Sequence, residues 1–223
     1  MKNSFIFAAA TMVASLLSAP ASAVVLDFVA EAAGAERAIE NGSTISNFQG
    51  TGVDVTFTSG SGDWYPYFDD LSEGRPAGLG VCKELFGSVG GPGDDGLSDD
   101  CNPPEDDNVS VGEFITLTFG GDEFHVRNMS FYDADHFALG VGGNDGMLAI
   151  MLNGGPAMVM SFSTAISMAM AGAYVGATSI TLAYVDTYFY IAEISDVPIP
   201  GAIPLLLSGL AGIGFVSRKK KVA

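Results

Sequence analysis

Positive charge is scarce in the body of this 223-residue chain. Between residues 24 and 196 the only basic residues are Arg37, Arg75, Lys83 and Arg127, while all 26 acidic residues lie there. A field of that sign repels phosphate backbones and argues against nucleic acid as a partner. Cysteine is nearly absent: Cys82 and Cys101 are the only two, too far apart for a CxxC redox pair. There is no G-x-S-x-G nucleophile elbow, no P-loop, no dinucleotide-binding glycine fingerprint and no EF-hand spacing, which removes the chemistries those motifs carry. No internal repeat is visible, and stretches with the period of an amphipathic helix are few.

What is present suits a folded body. Hydrophobic residues make up 48% of the chain and aromatic residues 10%, against 16% charged, so the composition supports a buried core and is not that of a disordered chain. The length fits one domain between two address segments.

Residues 1–23 begin with Lys2, continue as an apolar run from Phe5 to Leu17 and end on the small residues Pro20-Ala21-Ser22-Ala23. A basic start, an apolar stretch too short to span a bilayer and an A-x-A pattern describe a secretory signal peptide cleaved after Ala23. At the other end no charge occurs from Val197 to Ser217, and Arg218-Lys219-Lys220-Lys221 follows at once. The stretch is long enough for a helix crossing the inner membrane, with the basic cluster left on the cytoplasmic side.

Val197-Pro198-Ile199-Pro200-Gly201, the apolar span and the basic end occur in that order, and together they resemble a PEP-CTERM sorting tail of the VPLPA-CTERM subtype. Ile199 and Gly201 depart from the subtype's Leu and Ala. The resemblance covers residues 197–223. It implies a protein exported to the envelope, surface or extracellular matrix of a Gram-negative bacterium, a tail removed by an exosortase, and an association with exopolysaccharide and biofilm. The body resembles the β-sandwich proteins that carry such tails.

Residues 24–196 read as strands. Val53, Val55 and Phe57 alternate with Asp54, Thr56 and Thr58, and Ile115, Leu117 and Phe119 alternate with Thr116 and Thr118. Residues 24–29, 44–49, 124–131, 147–152, 178–184 and 187–194 are short runs rich in β-formers between turn signals. Asn144-Asp145-Gly146 predicts a tight turn before the strand from Met147. Together these predict an all-β fold, an antiparallel β-sandwich of jelly-roll type. Residues 157–175 are hydrophobic enough to suggest a membrane span or a short buried helix, but Met158, Met160 and Phe162 alternate with Val159 and Ser161, and Ile166, Met168 and Met170 with Ser167 and Ala169, which predicts core strands with methionine as filler.

Several groups are candidates for chemistry. In an exported chain Cys82 and Cys101 pair in a disulfide. Seven acids lie between Asp94 and Asp107, and Asp106 and Asp107, next to the strand near Glu113, are the preferred ligands if calcium binds. Trp64, Tyr65 and Tyr67, beside Asp69 and Asp70, are a candidate glycan-binding group. Asp133, Asp135 and His136 together with His125 suggest a weak metal or acid–base set, although Asp133 capping a turn accounts for part of it. The first expectation is an exported, non-catalytic surface or matrix protein. The others are a calcium-assisted carbohydrate-binding module and a secreted glycosidase or other hydrolase, for which 26 carboxylates offer many pairs.

Overall fold

The computed structural model describes residues 23–33, 36–60, 64–70, 74–86, 100–104, 106–121 and 123–196. The signal segment before Ala23, the sorting motif Val197–Gly201 and the rest of the tail lie outside these residues, as do Asp94, Asp95, Asp99 and Glu105. In chain order the first strands are β1 (Val24–Asp27), β2 (Arg37–Ala38), β3 (Thr44–Ile45), β4 (Asp54–Ser59), β5 (Tyr65–Asp69), β6 (Gly78–Cys82), β7 (Leu85–Phe86) and β8 (Asp100–Cys101). They are followed by β9 (Phe114–Gly120), β10 (Phe124–Val126), β11 (Asn128–Asp133), β12 (Met147–Leu152), β13 (Met158–Ser161), β14 (Tyr174–Ala177), β15 (Ser179–Tyr184) and β16 (Phe189–Asp196). Among the described residues two short α-helices interrupt them, α1 (Phe28–Ala32) and α2 (Phe162–Met170).

The fold is all-β, and the pairings within its sheets are antiparallel. One six-stranded sheet runs β1-β16-β6-β5-β2, with β11 on β16 as well. The other runs β13-β12-β15-β9-β4-β3. Both sheets bury side chains in one continuous cluster. The alternation in β4 and β9 is realised as expected: Val55, Phe57, Ile115, Leu117 and Phe119 point into that cluster while the threonines between them face away. Phe57 sits at its centre, its ring 6.2 Å from Phe28, 6.0 Å from Phe48 and 5.6 Å from Phe68, so residues of both sheets meet on it.

Four expectations need correction. The strand expected over 24–29 stops at Asp27, whose carboxylate accepts the Ala30 amide at 2.9 Å and caps α1. The strand expected over 44–49 shrinks to Thr44–Ile45, because left-handed Asn47 leads into a 3-10 turn at Phe48–Gly50. The turn before β12 lies earlier, at Val141–Asn144, where Gly142 and Gly143 supply the positive φ that Asn144-Asp145-Gly146 was expected to provide. Residues 157–175 are not all strand: β13 gives way at Ser161, whose hydroxyl accepts the Thr164 amide at 3.2 Å, and α2 follows. Phe162, Ala165 and Ala169 are buried at helical spacing, and small Ala165 and Ala169 let the helix seat close to β11. In the helix Ile166 and Met168 are half-buried and Met170 is exposed, so the alternation of these three with Ser167 and Ala169 does not mark a buried strand face. Among the described residues no helix is long and apolar enough to cross a membrane.

Cys82 and Cys101 form the expected disulfide, spanning 19 residues. The bridge, Ala38 and Tyr67 make a second, smaller buried cluster, and Cys101 continues into the β7–β8 pairing opposite Leu85. Closing a loop of this length stabilises the fold by about 3 kcal/mol. Replacing both cysteines with serine should therefore lower Tm by roughly 6–12 °C at this domain size. Calorimetry of the oxidised protein beside the double variant checks this, and an unchanged Tm would remove the bridge from the stability account.

Candidate functional site

The first sheet ends in a cleft of about 490 Å³. Asp69, the last residue of β5, contributes a carboxylate that is 5% exposed. Glu36, next to the start of β2, faces it across the β2–β5 pairing and accepts the Tyr67 hydroxyl at 3.2 Å. Tyr190, the second residue of β16, forms another wall and donates its hydroxyl to Asp107 Oδ1.

Asp107 reaches the cleft because of Gly80. The 107–108 backbone crosses β6 so closely that a Cβ at Gly80 would lie 1.9 Å from the Asp107 carbonyl oxygen and 2.8 Å from Asn108 Cα. Only a residue without a side chain allows that approach. The neighbouring Asp106 turns elsewhere, to Lys83 Nζ at 3.0 Å, and the same ammonium meets buried Glu113 at 2.5 Å. Burial opposes the Lys83 charge, yet the bonds it donates to Glu113 and Asp106 raise its proton affinity. Gly80→Ala should push the 107–108 segment off β6. The expected cost is about 1–3 kcal/mol of overpacking, and loss of the Tyr190–Asp107 bond should appear as a changed environment of Tyr190 in side-chain NMR.

His136 closes the site. It sits in a left-handed conformation (φ 61°) in the turn after β11. Asp133 does cap that turn, its Oδ1 accepting the Asp135 and Phe137 amides at 3.0 and 2.8 Å and its Oδ2 accepting from Asn144 at 2.8 Å. The His136 ring lies edge-on to Tyr190 at 5.2 Å. Its Nδ1 is 3.1 Å from the Arg75 carbonyl oxygen, and a carbonyl only accepts, so Nδ1 carries hydrogen. Nε2 then faces Asp69 Oδ2 at 3.5 Å.

The electrostatics follow from crowding. Burial, then the charges of Asp107 and Glu36, push the Asp69 carboxyl up to about 8, against a smaller lowering by Tyr190. Burial pushes Asp107 up to about 6, opposed by the Tyr190 bond and the His136 charge. Burial and the two carboxylates hold the Tyr190 hydroxyl firmly protonated. Near neutral pH these two carboxyls thus differ: Asp69 keeps its proton and Asp107 has largely lost it. Among the residues lining it His136 is the only one able to carry positive charge.

The residues singled out from sequence divide. Asp107, Asp135 and His136 line the cleft; Asp106 does not, so the pair proposed for calcium is committed to separate partners. His125 is on β10, where its Nδ1 accepts the Gly176 amide at 3.1 Å. Tyr67 is 1% exposed, Tyr65 packs beside the disulfide cluster, and Trp64 packs on the main core with Lys83 5.5 Å over its ring. From that segment it is Asp69 that reaches the cleft. Glu36 and Tyr190 were not visible from sequence, because no spacing links residues that only sheet pairing brings together. Among the described residues no group of three or more His, Cys, Asp or Glu is arranged to hold a metal ion. Comparison with known protein families, with curated proteins and with solved structures returns no match for this chain.

Proposed function

We propose that this protein is exported, sorted through its C-terminal tail by an exosortase-type enzyme, and kept at the cell surface or in the extracellular matrix. There its body, read as a jelly-roll-like sandwich, engages exopolysaccharide through the cleft. The observation that carries the proposal is the ordered run of proline motif, uncharged span and basic cluster from Val197 to Lys221. The cleft supports the saccharide half of the reading: its volume is that of a small-molecule site, and carboxylates beside an aromatic wall suit the hydroxyls and apolar faces of sugar rings. A cleft so rich in acids disfavours uronate or phosphate polymers and favours neutral or amino-bearing ones.

The test is to fractionate cells and weigh the mature protein. The expected chain starts at Val24 and ends between Val197 and Gly201. Envelope protein still carrying Arg218–Ala223 would sink the sorting claim.

A further inference from the structure

The cleft holds two carboxyls presented by different segments, with Tyr190 and His136 near both. Asp69 is presented by β5 against a histidine whose Nδ1 is tied to a backbone carbonyl, which leaves Nε2 as the atom able to share the Asp69 proton. Asp107 is presented by a different segment, crossing β6 at Gly80, and accepts a hydrogen bond from Tyr190 that favours its ionised form. Both line the same cavity. Two carboxyls whose surroundings treat their protons differently, facing one space large enough for sugar units, are suited to act as an acid–base couple.

We propose that the cleft is a hydrolytic site for glycosidic bonds of neutral or amino-bearing polysaccharides, with Asp69 as proton donor and Asp107 as the base that activates water. The proposal rests on the reading that the cleft takes saccharide and adds that it cleaves what it holds. In the reaction Asp69 gives its proton to the glycosidic oxygen as the bond to the anomeric carbon breaks. Asp107 takes a proton from a water whose oxygen bonds to that carbon. Solvent then returns the proton from Asp107 to Asp69, so one water is consumed and two hydroxyl-bearing fragments leave. His136 and Tyr190 are positioning residues: one shares the donor's proton, the other holds the base.

The groups facing Asp69 are Glu36, Asp70, Asp107, His136 and Tyr190, and those facing Asp107 are Asp69, Glu36, His136 and Tyr190. With Asp107 required ionised and Asp69 required protonated, the rate should follow a bell with limbs near pH 6 and pH 8.

The experiment uses the full chain, oxidised, on soluble β-glucan, xylan and a β-linked N-acetylglucosamine polymer, intact and partly deacetylated, with alginate as the anionic comparison. Release of reducing ends is measured beside retention on the same polymers in affinity electrophoresis. The expected result is release from at least one neutral or amino-bearing polymer, more slowly from alginate. Asp69→Asn and Asp107→Asn should each reduce the rate about 100-fold or more while still being retained. Tyr190→Phe removes the hydroxyl that lowers both carboxyls and holds the base, so it should lower the rate at neutral pH and move both limbs to higher pH, a shift that a merely structural role would not produce. No release from any polymer, or release undiminished in both Asn variants, overturns hydrolysis at this cleft. Retention without release leaves the saccharide-binding reading standing. Neither retention nor release overturns both.

Discussion

Asp69→Asn should make this protein more stable at pH 8 and change it little at pH 4. In the folded state the Asp69 carboxyl is pushed up to about 8 by burial and by the charges of Asp107, Glu36 and Asp70, while in an unfolded chain an aspartate titrates near 4. Between those values the folded state holds a proton that the unfolded state has released. Stability therefore falls as pH rises through that window. Below about pH 4 both states are protonated and the group costs nothing; above about pH 8 the folded state carries a buried, ionised carboxylate among like charges. At about 1.4 kcal/mol per unit, a displacement of this size corresponds to roughly 2–5 kcal/mol once sharing with His136 is allowed for. Asp107, pushed up to about 6, adds a smaller loss of the same sign that is complete by about pH 6. The amide removes the Asp69 part by never ionising. Denaturant unfolding of wild type and variant at pH 4, 6 and 8 measures it: the difference should grow steadily with pH, and a constant difference would mean that Asp69 ionises freely. The same result separates chemistry from folding at the cleft, since a variant that is more stable at neutral pH cannot lose turnover by unfolding.

Phe57→Ala should be among the most destabilising single changes in the body. The ring is fully buried and touches Phe28, Phe48 and Phe68, which come from α1, the 3-10 turn and the opposite sheet. Removing it loses the transfer energy of a large side chain and leaves a cavity among rings fixed by three different backbone segments, which limits collapse. The expected cost is about 3–5 kcal/mol, or roughly 6–20 °C in Tm for a domain of this size. Phe57→Leu keeps most of the volume and should cost less than half as much. If the alanine variant melts within a degree or two of wild type, the two sheets do not meet at this ring.

The strands were legible where one face is buried and the other is wet. In β4 and β9 the period of two is written directly in Val55, Phe57, Ile115 and Leu117 against threonines, because burial of one face selects residue type position by position. Legibility failed where a local capping bond outcompeted the apolar pattern. Asp27 and Ser161 each turn a strand into a helix by accepting one backbone amide, and nothing in the surrounding hydrophobicity announces it. The disulfide was legible because two cysteines leave one pairing.

The cleft was readable only as fragments. Asp107 and His136 could be singled out as titratable residues near turns, but their partners come from pairings among β2, β5, β6 and β16 that join distant parts of the chain. Which of two adjacent acids enters the cleft is a further example. Asp106 and Asp107 are chemically identical in sequence, and the choice between them is made by Lys83 holding one while the bare surface of Gly80 admits the other. Composition and periodicity by themselves determined that the chain is an all-β body with one internal crosslink and a strongly acidic charge, since each of these depends on residue type and near-neighbour spacing. Tertiary structure alone decided which carboxyls share a cavity and hold their protons, because proton affinity is set by burial and by charges a few ångströms away in space, whatever their distance along the chain.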